Sequence, residues 1–169
     1  NEMNETINLI KQRRSIRQYT NEDVDEEQVR TLLEAGMAAP SGRARDPWHF
    51  IVVRNAETRA RLAQTHTFSD MCTRAPVVIV VCGDESLSEH WIADCAAATE
   101  NILLAATGLG LGAVWVGIYP RPERESHVRQ VLSIPAPIRI LCMIPVGHPA
   151  EQKPPRTRYN PERVHFEQF

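Results

Sequence analysis

The stretch that most constrains this sequence is residues 88–107, where Ala, Ile and Leu occupy almost every side of what reads as one long helix. A helix that is apolar all round has no solvent face and belongs at the centre of something. Its many small residues let a second helix approach closely. It is not a bilayer span, because the apolar run 92–107 is short and carries Asp94, Glu100 and Asn101. A second constraint is PVVIVVC at 76–82, a continuous β-branched run that reads as a strand buried on both faces.

The other segments arrange themselves around these two. Helices are predicted at 3–13 (apolar Met3, Ile7, Ile10), 25–39 (Val29, Leu32, Leu33, Met37), 57–64 and 122–132. Strands are predicted at 48–54, 113–118 and 138–146. Strands interleaved with helices imply a layered α/β or α+β sheet with helices on its faces. Nothing marks an internal boundary, so residues 1–169 are expected to form a single domain. The tail 151–169 has three prolines and no core of its own, yet keeps Tyr159, Val164, Phe166 and Phe169. Such a tail is expected to dock, in part on a partner chain.

Composition narrows the function. Charged residues make up 24% of the chain and the formal charge is −2, which argues against a nucleic-acid coat. All basic residues except Lys11 and Lys153 are Arg, which leaves room for local anion sites. Cys72, Cys82, Cys95 and Cys142 form no C-x-x-C pair, and reduced, buried thiols in a cytoplasmic setting are expected. The first twenty residues, with Lys11, Arg13, Arg14 and Arg17 among them, do not read as a secretory leader, and no membrane association is expected.

Several familiar motifs are absent or out of context. There is no G-x-S-x-G, H-E-x-x-H or Walker loop. GLGLGA at 108–113 has the letters of a dinucleotide fingerprint, but it ends a helix and opens a strand, the reverse of the required order. It reads as a helix cap and tight turn. His90 and Asp94 share a helix face, but no third metal ligand is evident, and a helix-surface pair is the better reading; no metal is expected.

Three Arg-bearing segments are candidates for ligand binding. RRSIR at 13–17 places three guanidiniums and a hydroxyl where they can wrap a phosphate, or where they simply suit a helix C-terminal dipole. The loop 39–48 offers Ser41, the backbone at Gly42 and Arg43 to a polar ligand, or only stops a helix. Arg156 and Arg158 face the same side of an extended segment and could grip an anion, or be a solvated basic tail.

In order and spacing these pieces resemble the FMN-dependent nitroreductase family over nearly the whole chain. The likeness rests on RRSIR at 13–17, APS at 39–41, PW at 47–48, DCAAATENILLAATGLGLGAVWVGIYP at 94–120, IPVGHP at 144–149 and KPPRTRYNPERVHFE at 153–167. The resemblance implies an α+β, three-layer sandwich with a central, mainly antiparallel sheet flanked by helices. It implies an intertwined homodimer with two interfacial FMN sites and a C-terminal arm on the partner, the 92–107 helix serving as dimer core. On this likeness Arg13, Arg14, Ser15 and Arg17 match the box that binds FMN. Pro40, Ser41 and Gly42 match the loop the partner brings to the flavin. Val116, Gly117 and Ile118 match the strand end near the ring, and Arg156 and Arg158 match the phosphate-holding pair.

The implied activity is hydride uptake from NADH or NADPH and electron delivery to a nitroaromatic, quinone or similar small-molecule acceptor in a ping-pong sequence. No side chain need act as a covalent nucleophile. Other readings are a different FMN reaction on the same scaffold (flavin or ene reduction, dehalogenation, flavin fragmentation) and a non-catalytic FMN-binding redox sensor. The chain departs from the family pattern at Ala44 and Asp46, where many members have Asn and Gln. Asp46 would bring negative charge to the ring edge, with Arg43 and Arg45 flanking and neutralising it.

Overall fold

The computed structural model describes residues 2–169, with side chains from Asn4 onward, so Asn1 and the expected packing of Met3 lie outside the described residues. The regular elements are α1 (Glu2–Gln12), α2 (Glu26–Met37), β1 (Trp48–Val53), α3 (Ala56–Ala63), α4 (Met71–Arg74), β2 (Val77–Asp84), α5 (Trp91–Gly108), β3 (Gly112–Ala113), β4 (Val116–Gly117), α6 (Pro122–Leu132) and β5 (Ile138–Gly147). Single 3-10 turns lie at Gly42–Ala44 and Pro161–Arg163. The four-residue α4 is the one helix that periodicity does not reveal, being shorter than the period needs.

All pairings between named strands are antiparallel, in the order β1-β2-β5-β3, with β4 also on β5. β2 is the axis of the molecule, and its side chains from Val77 to Cys82 are fully buried. Val77, Ile79 and Val81 join α2 and α5 on one face. Val78, Val80 and Cys82 join Leu62 of α3, Met71 and Cys72 of α4, and Val128 of α6 on the other. The period-two alternation of a strand thus feeds two cores, and the result is three layers.

The strand expected at 113–118 is two short pieces. Their pairings, Ala113 with Val146 and Val116 with Met143, keep one register, so Val114 comes opposite Pro145. Leu141 O accepts from Ile118 N at 3.0 Å, so alternate residues of β5, Pro145 included, turn their main-chain groups toward this edge. Proline has no N–H to offer Val114, and the ladder breaks there.

α2 begins with a capping box, Asp25 Oδ1 accepting from Gln28 N at 2.8 Å and Gln28 Oε1 accepting from Asp25 N at 3.1 Å. Val29 and Leu32 are buried, but the predicted apolar position Met37 is 53% exposed. α5 buries Cys95, Ala98, Thr99, Ile102 and Ala106 against the sheet and α2, while Ala93 and Glu100 on its other side are exposed. In the single chain it is therefore covered on one side only. The four thiols are free and buried, and burial pushes those of Cys72, Cys82 and Cys95 up to about 12. No helix among the described residues is long and apolar enough to cross a membrane.

The α2–α5 seam is tight at Gly36, where an added Cβ would meet Ile102 Cδ1 at 3.0 Å. Ile102 is fully buried. Ile102→Ala should lower unfolding free energy by about 2–5 kcal/mol, seen as an earlier urea midpoint at fixed protein concentration.

Candidate functional site

Residues 13–17 leave α1 along the outer edge of β3. Ser15 bridges Ala113 in parallel, and Ile16 N donates to Ala113 O at 3.0 Å. Ile16 turns inward against Gly112, where an added Cβ would lie 2.6 Å from Ile16 Cγ2. The close approach of this segment therefore depends on glycine at 112.

The chain after β5 returns along the other side of the same segment. Thr20 N donates to His148 O at 2.9 Å and Ala150 N to Gln18 O at 2.8 Å. Glu151 Oε2 accepts from Arg17 N at 2.7 Å and Gln18 N at 3.1 Å. Lys153 Nζ donates to Ser15 O, Arg14 Nη1 to Pro154 O, and Arg156 N to Lys11 O. The Arg17 N–H holds the Glu151 carboxyl below its ordinary range, with Lys153 and the Gln18 N–H adding to the effect.

This strap brings the two Arg segments together. The Arg156 guanidinium holds its proton less firmly than usual, first because of Arg158, with Arg14 and Arg13 also contributing. Arg13 has Glu100 at 3.6 Å, but among the described residues no carboxylate lies within 4 Å of Arg14, Arg156 or Arg158. Four neighbouring cations with one carboxylate, Glu100 on Arg13, make a place for a polyanion, which guanidinium forks suit.

Arg17 lines a cavity of about 250 Å³ with Val116, Gly117, Trp115, Phe68 and His66, whereas Arg14 lines a different one with Glu151, Lys153 and Pro155. Gly117 turns its main chain outward, its carbonyl accepting from Arg124 Nη1 at 3.0 Å. His66 Nδ1 accepts from Phe68 N at 3.1 Å, which puts the neutral ring's proton on Nε2. Burial, and then the Arg124 charge, lower the His66 pKa and keep the ring neutral. Nε2 is buried with no partner among the described residues. Ile118 is fully buried in the core behind this wall and offers no side chain to the cavity.

Pro40, Ser41 and Gly42 lie elsewhere on the chain. Gly42 lines a different cavity, at the start of α5, with Arg43, Arg45 and His90. One chain alone does not bring this loop to the Arg17 cavity. The expected neutralisation of Asp46 by its flanking arginines is not seen: Asp46 Oδ1 accepts instead from Ser41 Oγ at 2.5 Å. Asp94 is not a helix-surface partner of His90. It is 5% exposed and accepts from Gly42 N at 2.9 Å and Ser88 Oγ at 3.1 Å. Among the described residues no group of three or more His, Cys, Asp or Glu is placed to hold a metal.

Sequence reasoning missed Glu151, His66 and Phe68. Glu151 carries no local motif, and its role appears only when the two chain ends meet. His66 and Phe68 sit in a short irregular link between α3 and α4 whose position only the fold defines.

Fold and site together define an α+β protein with a cavity at the β4 edge and a cluster of arginines where the tail meets the end of α1. The sequence pattern described as the nitroreductase family matches residues 10–66 and 64–148. The chain belongs to the nitroreductase family. A provisionally named NADH dehydrogenase/NAD(P)H nitroreductase of Archaeoglobus fulgidus is 42% identical over 174 residues, spanning 99% of this chain and 100% of that one. The crystal structure of a protein with the same provisional name from Parabacteroides distasonis superposes with a TM-score of 0.95 at 41% identity, covering 98% of this chain and 99% of that one. A provisionally named nitroreductase of Desulfovibrio desulfuricans, solved in complex with FMN, gives 0.83 at 36% identity, with 97% of each chain covered.

Since the Glu151 carboxyl is depressed in the folded state, its contribution is present above the ordinary carboxylate pKa and is lost as pH falls through the depressed value. Glu151→Gln should cost about 1.5–3 kcal/mol at neutral pH. Urea unfolding against pH checks this, the gap to wild type closing under acid conditions.

Proposed function

We propose that this chain is an FMN-dependent NAD(P)H oxidoreductase. It takes hydride from NADH or NADPH and passes electrons to a nitroaromatic, quinone or similar acceptor in a ping-pong sequence. The observation that carries this reading is the strap that gathers Arg13, Arg14, Arg156 and Arg158, with Arg17 of the same segment lining a cavity. The residues present fit FMN: Arg156 and Arg158, with no carboxylate within 4 Å among the described residues, suit its phosphate, and the cavity offers aromatic walls, outward main chain and an orphaned buried imidazole N–H. The names of the relatives point the same way.

FMN, when bound, supplies the hydride and electron chemistry. Arg156 and Arg158, with Arg13, hold the phosphate end. Arg14 is turned to the tail, donating to Pro154 O, and so stiffens the strap that carries Arg156. Arg17 at the cavity provides the fixed positive charge at the ring edge. Val116 and Gly117 form the floor against which a flat ligand is oriented, and Ser15 and Ile118 hold that edge from either side.

The chain works as one domain in a homodimer. Ile7, Ile10 and Met37 are 46%, 50% and 53% exposed, and Phe166 and Phe169 stand 85% and 106% exposed on a tail without a core. Apolar surface of this extent calls for a partner copy. In the dimer, the second chain's Pro40–Ser41–Gly42 loop completes the flavin site, and the arm 151–169 lies on the partner.

The visible spectrum of the purified protein tests the reading. A yellow protein that bleaches on anaerobic addition of NADH or NADPH is expected. A colourless protein that takes up no added FMN would remove the central claim. Arg17→Ala should weaken FMN retention tenfold or more by fluorescence titration; unchanged affinity would sink its role at the ring edge.

A further inference from the structure

The loop 41–46 is fixed more firmly than a helix stop needs. Ser41 Oγ both donates to Asp46 Oδ1 and accepts from Asp46 N, at 2.5 and 3.0 Å. The buried Asp94 carboxylate holds Gly42 N at 2.9 Å. Gly42 lies against the His90 ring, where an added Cβ would be 2.6 Å from His90 Cδ2. Arg43, Ala44 and Asp46 take φ values of 55°, 53° and 48°, a left-handed conformation that side chains resist.

This fixed turn delivers Arg43 and Arg45 to a cavity of about 260 Å³ whose rim also holds Ser88 and His90. Arg30, Arg54, Arg74, Arg129 and Arg139 each have a carboxylate partner. Among the described residues neither Arg43 nor Arg45 has one within 4 Å, although Asp46 is adjacent in sequence. Asp46 is taken by Ser41. Glu89, the acid of the lining, is 3.4 Å from His90 Nε2. Two forked cations on a rigid turn, with Glu89 set against His90 and no carboxylate within 4 Å of either among the described residues, face an open space.

We propose that Arg43 and Arg45 form a subsite for a phosphate group of the nicotinamide nucleotide donor, separate from the Arg156 cluster. The choice of ligand rests on the functional reading above. The anion-binding character rests on the cavity itself. Guanidinium forks match phosphate oxygens, and the pinned backbone means little ordering is needed on binding.

The test uses inorganic pyrophosphate as probe, titrated calorimetrically into FMN-loaded protein so that the Arg156 cluster is already engaged. The Arg43→Ala/Arg45→Ala double variant should lose tenfold or more in pyrophosphate affinity, and Lys at both positions should restore part of it. Both side chains are exposed, so a wild-type Tm confirms that the variants fold. A rise in KM confined to NADPH supports the subsite and assigns it to the 2′-phosphate. Equal rises for NADPH and NADH support it and assign the pyrophosphate. Unchanged pyrophosphate affinity with unchanged KM values overturns the subsite and leaves the oxidoreductase reading standing. Arginine-dependent pyrophosphate binding in a flavoprotein that neither nucleotide reduces overturns the assignment to the donor, and with it the functional reading.

Discussion

The site depends on one main-chain arrangement: residues 15–20 lie between the edge of β3 and the returning chain at 148–151. Ile16 N reaches Ala113 O on one side, while Thr20 N and Ala150 N tie the segment to the tail on the other. Arg14, Arg17 and Arg156 take their places from this arrangement. Arg17 belongs to the inner run, Arg13 and Arg14 lead into it from α1, and Arg156 is set down beside that lead because its own N–H reaches Lys11 O. The backbone bonds are formed by the chain alone, so folding sets the geometry of the cluster before a ligand arrives.

The electrostatics run against folding and in favour of binding. Neighbouring guanidiniums repel, which lowers the Arg156 pKa from its ordinary value. An anion entering the cluster removes that repulsion as well as adding hydrogen bonds. By contrast, Glu125 sits between Arg129 and Arg139 at 3.4 and 2.9 Å, a balanced network that stabilises structure. The contrast between satisfied and unsatisfied arginines separates structural cations from functional ones in a chain where nearly every cation is Arg.

Much of the fold was legible in the sequence because the governing patterns are local. The β-branched run of β2 and the 3.6 period of α2 and α6 predict their elements to within a residue or two at most boundaries. The split of 113–118 was not legible, since it comes from the absence of an N–H on a strand distant in sequence. The Arg segments were readable as candidates, but their union was not, because Arg14 and Pro154 meet only through the strap. Asp94 was misread for the same reason: its partner Gly42 lies 52 residues away, and its spacing from His90 suggested a surface pair.

The break opposite Pro145 has a consequence for how the protein behaves in a crowded solution. An unbroken edge strand at 112–118 would present a row of outward N–H and C=O groups that any extended chain could copy. Here the row is interrupted after two residues, capped by Ser15 at one end and by the Arg124 bond to Gly117 O at the other. Trp115, 37% exposed, stands in the gap. The same missing hydrogen that breaks the ladder beside the cavity therefore denies a foreign strand its template. In this region the guard against aggregation comes from a single imino acid.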